Sequence, residues 1–186
     1  KLRARVVNTN AGSYLASWGP LTDARARCSS AIDTMANLSL LYWASRYSGD
    51  GSYRLVAEAH AQMTAKGFIR PELSTYHAVE YDTRSGQRVR GYTFQGFADE
   101  SAWSRGQGWA IYGYVISARE TGKREYLDLA EKLAVPFGAP DILVQAAGIN
   151  TREVADDVTP EGWDITLNLN LSVPFFLSQH LVPAMK

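Results

Sequence analysis

The chain has 186 residues, with 19 Lys plus Arg balanced by 19 Asp plus Glu. It therefore lacks the basic excess that a nucleic-acid or anionic-membrane binder needs. Apolar residues make up 46% and charged residues 20%, a globular composition and not a disordered one. A lone cysteine, Cys28, excludes an intrachain disulfide. Three histidines without an HExxH pair argue against a metal site, and neither metal nor cofactor is expected. No apolar run reaches the ~18 residues of a membrane helix. Residues 1–14 lack the apolar stretch of a secretory signal, so the expected compartment is reducing and cytoplasmic. The chain opens on Lys1 and not on Met, as a processed chain or a fragment does.

Residues 1–23 are mixed, with Ser17-Trp18-Gly19-Pro20 reading as a turn. From Ser29 the pattern turns helical: Ile32, Met35, Leu38, Leu41 and Tyr42 recur at steps of three and four and form one stripe. Gly49 and Gly51 stop this helix. A second helix is predicted over about 53–66, with Leu55, Val56, Ala59 and Met63 on its apolar side. Residues 70–96 read as non-helical. There Thr75, His77, Val79 and Tyr81 alternate with Tyr76, Ala78, Glu80 and Asp82, which suggests a strand or extended loop. Helix returns over 101–120, stops at Thr121-Gly122 and restarts over about 125–133.

The two helical blocks repeat each other. A shift of about 73 residues places Arg46 on Arg119, Gly49 on Gly122, Tyr53 on Tyr126 and Ala57-Glu58 on Ala130-Glu131. A helical hairpin used twice is the mark of stacked pairs that bury their stripes on one another. Residues 1–134 thus read as part of an all-α array or toroid.

The grammar changes beyond residue 134. Pro136 and Pro140 break the helix, and Asp141-Ile142-Leu143-Val144-Gln145 reads as a short buried strand ending at Ala146-Ala147-Gly148. Thr159 is the expected N-cap and Pro160 the first position of a helix running from Glu161 towards His180, kinked at Pro174. The expected fold is mainly α: a partial toroid of helical hairpins over 1–134, followed over 135–186 by a strand-turn-helix piece of Rossmann-like α/β character.

Several residues carry two readings. Asp33, with Ser30 ahead of it, reads as a capping-box-like helix start, or as a partly desolvated carboxyl able to act as general acid. His77 reads as a half-exposed strand residue and Gln95 as a loop amide. In Ser101-Ala102-Trp103-Ser104-Arg105-Gly106-Gln107-Gly108-Trp109, two indoles flank one guanidinium. That run is either a cation–π packing contact or an aromatic platform for a sugar with an arginine fork for its carboxylate. Gly106-Gln-Gly108 does not complete a dinucleotide loop, because Ile111 stands where the third glycine belongs.

Ser17-Trp18-Gly19-Pro20, Ile32-Asp33-Thr34-Met35-Ala36-Asn37-Leu38, Leu41-Tyr42-Trp43-Ala44, Ser74-Thr75-Tyr76-His77, Gln95-Gly96-Phe97 and the run from Ser101 through Gly113 resemble the unsaturated glucuronyl hydrolases of glycoside hydrolase family 88. The resemblance implies an (α/α) toroid. It also implies Asp33 as the general acid/base that protonates a 4,5-unsaturated uronide, with His77, Gln95, Trp103, Arg105 and Trp109 around the substrate. The second active-site aspartate of that family matches nothing in residues 1–32, since Asp23 follows the Ser-Trp-Gly-Pro turn, and Ala36 and Ser39 replace the more usual Met and Pro. Residues 137–186 resemble a short-chain dehydrogenase/reductase through 137–149, Thr159-Pro160-Glu161-Gly162-Trp163-Asp164 and Asn170, with Gln145 in place of an Asn. They lack the glycine-rich pyrophosphate loop, and none of the ten tyrosines has Lys four residues on. Expected partners are a small saccharide and, through uncovered apolar faces, a second copy of the chain; nucleic acid and membrane are not expected. The competing readings are a hydrolase, a catalytically silent self-associating chain and, last, an NAD(P)-dependent oxidoreductase.

Overall fold

A computed structural model describes residues 1–135, 157–172, 174–176 and 179. It divides into two compact units, Lys1–Pro136 and Phe137–Lys186. The described residues are mainly helical. In the first unit a 3₁₀ turn (Leu2–Arg5) leads into the antiparallel hairpin β1 (Val6–Thr9) and β2 (Gly12–Leu15). The Ser-Trp-Gly-Pro turn follows. Arg5 holds it by donating to the carbonyls of Ala16, Trp18 and Gly19. Gly19 is required there, because its φ is +65° and a Cβ would lie 2.6 Å from that of Ala26.

A short helix, α1 (Ala24–Cys28), is capped by Asp23, whose carboxylate accepts from the amides of Arg25 and Ala26. The predicted helix start at Ser29 is replaced by strand β3 (Ser29–Ala31) and a 3₁₀ turn (Ile32–Asn37), and α2 runs only over Leu38–Ser48. Ser30 is no cap: its hydroxyl donates to the Leu15 carbonyl, so the chain is drawn into an extended pairing before it can turn. The apolar stripe nevertheless holds across the 3₁₀ turn and α2, and Ile32, Met35, Leu38, Leu41 and Tyr42 are all buried.

Helix α3 (Ser52–Gly67) buries Ala57, His60, Ala61 and Thr64 at steps of three and four, together with Met63. Leu55, expected on the apolar side, is exposed, because the buried face is set one position later in the turn. Strands β4 (Ala78–Tyr81) and β5 (Arg88–Tyr92) join β3 in a three-stranded antiparallel sheet in the order β3-β4-β5. The all-α expectation for this unit is corrected by these two small sheets. The alternating stretch 75–82 does contain a strand, although regular pairing begins only at Ala78, and His77, expected to be half-exposed, is buried.

Helices α4 (Ser104–Thr121) and α5 (Arg124–Ala134) form the second hairpin. Gly49 and Gly122 end α2 and α4 with φ of +72° and +71°, the same left-handed stop twice. Ion pairs join the hairpins: Arg46 with Glu120, and Lys123 with Glu58 at 2.5 Å. The core is continuous through β1, β2, the 3₁₀ turn and the four helices. In the second unit, α6 (Pro160–Leu167) starts as expected, with the Thr159 hydroxyl accepting from the Gly162 amide and Pro160 at the first position. It runs into a π turn, Asn168–Ser172, ahead of Pro174. The strand expected at 141–145 lies outside the described residues, as do Pro136, Pro140 and His180. No helix among the described residues is long and apolar enough to cross a membrane.

Two packing details make measurable demands. At Gly113 a Cβ would lie 2.7 Å from Met35 Cβ and 2.9 Å from the Met35 carbonyl oxygen, so Gly113→Ala forces backbone apart. Its expected cost is about 1–3 kcal/mol. Gly49→Ala meets open space and costs only the left-handed strain of about 1 kcal/mol. Urea midpoints by circular dichroism order the two. His60 is fully buried, with Nδ1 accepting from the Leu15 amide, and burial pulls its pKa down to about 3. The unfolded chain takes up a proton near pH 6.5 that the folded chain refuses. Stability from this group is thus complete above pH 6.5 and falls by about 1.4 kcal/mol per pH unit as pH drops towards 3. His60→Gln, which keeps an acceptor for Leu15, should remove that one-proton slope from urea unfolding measured between pH 7 and 5.

Candidate active site

The 3₁₀ turn that carries Asp33 is pinned from three directions. The Ile32 amide donates to the His77 carbonyl at 2.9 Å. The Ser17 hydroxyl accepts from the Ala31 amide at 2.6 Å and shares a 2.8 Å hydrogen bond with Thr34. From the other side α4 presses on the turn through Gly106 and Gly113, where any Cβ would strike Ile32, Met35 or Trp103. Asp33 is left half-buried, and its buried Oδ2 has no hydrogen-bond partner among the described residues.

His77 faces that oxygen, with Nε2 3.7 Å from Asp33 Oδ2. Its Nδ1 accepts from the Phe94 amide at 3.2 Å and is 2.9 Å from the Thr93 hydroxyl. An amide can only donate, so the neutral ring carries its proton on Nε2, towards Asp33. Burial holds the His77 pKa below the usual imidazole value; Asp33 opposes this and Arg105 adds to it.

The imidazole lies 4.1 Å from the Trp103 ring, tilted by 34°, and Trp103 in turn carries the Arg105 guanidinium 4.6 Å from its centroid. Arg105 also donates to the Gln95 side-chain oxygen. Asp33, His77, Trp103, Arg105 and Gln95 therefore form one unbroken line of contacts. Trp109 stands outside it. Its indole meets Tyr112 edge-on at 6.3 Å, so the expected pair of indoles around Arg105 is a single indole. Gln107, four residues past Trp103, is buried and donates to the Leu73 and Leu133 carbonyls, both at 2.8 Å.

Sequence reasoning missed three residues here. Thr93 is the hydroxyl behind His77. Asp99 accepts from the Thr93 amide at 2.8 Å. Trp18 packs edge-on against Phe94 and Tyr92 at 5.7 and 6.4 Å. Of these, only Trp18 stands in a motif that could have flagged it. Among the described residues no group of three or more His, Cys, Asp or Glu is placed to hold a metal.

The arrangement sets a carboxyl beside an imidazole, an indole face and a guanidinium, carried by a 3₁₀ turn, the segments next to β4 and β5, and the start of α4. Part of the chain is homologous to unsaturated glucuronyl hydrolases. It is 40% identical over 121 residues to the unsaturated glucuronyl hydrolase of Bacillus sp. strain GL1, a match covering 65% of this chain and 32% of that protein. It is 48% identical over 100 residues to that of Formosa agariphila, covering 54% and 25%. The solved structure of the Bacillus sp. GL1 enzyme superposes with a TM-score of 0.65 at 34% identity, over 86% of this chain and 40% of that one. A minor segment matches short-chain dehydrogenases: 47% identity over 51 residues to 2-dehydro-3-deoxy-D-gluconate 5-dehydrogenase of Dickeya dadantii, covering 27% of this chain and 20% of that protein. No family model matches the chain. The chain spans between a quarter and a third of the hydrolases it matches.

The charges around His77 fix the sign of its response to mutation. Asp33→Asn removes the group that raises its pKa and should lower the midpoint further. Arg105→Gln removes a lowering charge and should raise it towards 6.5. Imidazole NMR titration of the two variants against the parent checks both directions.

Proposed function

We propose that residues 1–135 carry the acid side of a site that cleaves unsaturated uronides by hydrating their 4,5 double bond. The observation that carries the reading is the unbroken line Asp33–His77–Trp103–Arg105–Gln95. The relatives supply the reaction class by name. Asp33 in its acid form gives a proton to C4 of the double bond, and the positive charge left at C5 is shared with the ring oxygen. Water adds at C5 and returns its proton to the Asp33 carboxylate. The resulting hemiketal opens and frees the next sugar, so one water is consumed and the acid is restored. His77, with its proton on Nε2, orients the Asp33 carboxyl. Arg105, propped on Trp103 and Gln95, meets the uronate carboxylate as a planar fork. Trp109 is assigned to the sugar by resemblance alone.

Asp33 serves as both acid and base in this reading, because Asp23, the one aspartate ahead of it, is occupied as the cap of α1. The relatives differ in the sugar they are named for. One from Streptococcus pyogenes, 38% identical over 121 residues, is an unsaturated chondroitin disaccharide hydrolase. One solved structure, with a TM-score of 0.64 at 34% identity, is described as specific for heparin. The proposal is accordingly confined to the shared uronate end. A second proposal concerns the tail: its similarity to dehydrogenases supports a Rossmann-like origin, without the tyrosine–lysine pair that hydride chemistry needs.

The test is loss of ultraviolet absorbance from an unsaturated uronyl disaccharide. The parent should show decay, Asp33→Asn should slow it by about 10²-fold or more, and Arg105→Lys should raise KM by about tenfold through loss of the bidentate fork. No decay from a parent sample with native circular dichroism overturns the proposal.

A further inference from the structure

The Thr93 hydroxyl has three polar neighbours and capacity for three. It accepts from the Gly96 amide at 2.8 Å and from the Gln95 amide at 3.3 Å, which uses both lone pairs. Its single proton is left for His77 Nδ1 at 2.9 Å. Thr93 is itself fixed at both ends. It follows Tyr92 at the end of β5, and its amide donates to Asp99 Oδ1 at 2.8 Å. At Gly96 a Cβ would lie 2.8 Å from the Thr93 hydroxyl oxygen, so the turn closes on that hydroxyl only because residue 96 is glycine.

We infer that Thr93 is a positioning residue for the proposed hydration site. Its hydroxyl locks His77 with the ring proton on Nε2, facing Asp33, and the same oxygen folds the 93–96 turn that delivers Gln95 to Arg105. One hydroxyl thereby couples the acid end of the site to its carboxylate-binding end. Two donors, Phe94 amide and Thr93 hydroxyl, aim at Nδ1 and oppose its protonation. The charged groups that bear on the ring are Asp33 from the 3₁₀ turn and Arg105 from α4, and both remain in the variants below. The role as a positioning residue rests on the proposed function; the contacts do not.

The experiment is nitrogen–proton NMR of the histidine rings in the full chain, for the parent, Thr93→Val and Thr93→Ser. The parent should show His77 as the Nε2–H tautomer at neutral pH. Thr93→Val should raise the His77 midpoint by about half to one pH unit, the size of one neutral hydrogen bond. It should also shift the Gln95 and Gly96 amide resonances, while Thr93→Ser restores the parent values. A parent ring protonated on Nδ1, or a Thr93→Val midpoint equal to the parent's, overturns the inference. Should Thr93→Val fail to fold, the parent tautomer decides alone. The same samples in the disaccharide assay separate the two ideas. A tautomer and midpoint as expected without turnover by the parent means that the hydrolase reading has failed and the hydroxyl's hold on His77 has not.

Discussion

The site depends on how closely α4 can lie on the turn that carries Asp33. Gly106, Ala110, Gly113 and Ser117 recur at steps of four, three and four on one buried face of that helix. At Gly106 and Gly113 not even a methyl group fits against Ile32, Met35 or Trp103. At these glycines the helix backbone lies directly on the Ile32 and Met35 side chains, and at Gly113 on the Met35 carbonyl as well, so the path of α4 helps to set where Asp33 stands relative to Trp103 and Arg105. Gln107 on the same helix ties the Leu73 carbonyl and the end of α5 to it. Leu73 holds a left-handed φ of +70°, and this bond is part of what keeps it there.

Electrostatics then divide the labour. Arg105 is a cation in the first turn of α4, the end of a helix where positive charge is disfavoured. It finds compensation in the Gln95 side-chain oxygen and the Trp103 face, and among the described residues it pairs with no carboxylate. A guanidinium held by a neutral oxygen and a ring keeps its charge uncompensated by a neighbouring carboxylate, which is what the proposed uronate contact asks of it. Burial holds the His77 pKa down, and its Nε2–H faces Asp33 Oδ2 across 3.7 Å without closing a hydrogen bond. The pairs Arg46–Glu120 and Lys123–Glu58 play the other role, bracing one helical hairpin against the next.

What could be read in the chain alone follows from the range of the forces involved. The hairpin repeat was legible because a left-handed stop needs glycine, and Gly49 and Gly122 mark both stops. The stripe through Ile32 and Tyr42 was legible because burial selects apolar side chains at helical spacing. Its 3₁₀ start and strand β3 were not, because Ser29–Ala31 becomes extended only through its pairing with Ala78–Glu80, some fifty residues away. Strands β1, β2, β3 and β5, of three to five residues, carry too few alternations to be seen, whereas β4 fell within the alternating stretch 75–82. Asp33, His77, Gln95, Trp103 and Arg105 were found together through motif resemblance, and the fold brings them into one line. Trp109, found the same way, packs elsewhere. Thr93 was invisible, because a threonine after a short strand acquires its meaning only from what the fold places around its hydroxyl.

Every group in the proposed chemistry lies in the first unit, while the chain's second resemblance, to dehydrogenases, concerns only a minor segment. The two ancestries therefore do not compete for the same residues. The acid lies in the 3₁₀ turn, the imidazole just before β4, the hydroxyl just after β5 and the guanidinium in the first turn of α4. By sequence the chain spans between a quarter and a third of the hydrolases it matches, and what orders the proposed site lies within the first unit: two glycines in one helix, one serine at a turn, and one threonine after a strand.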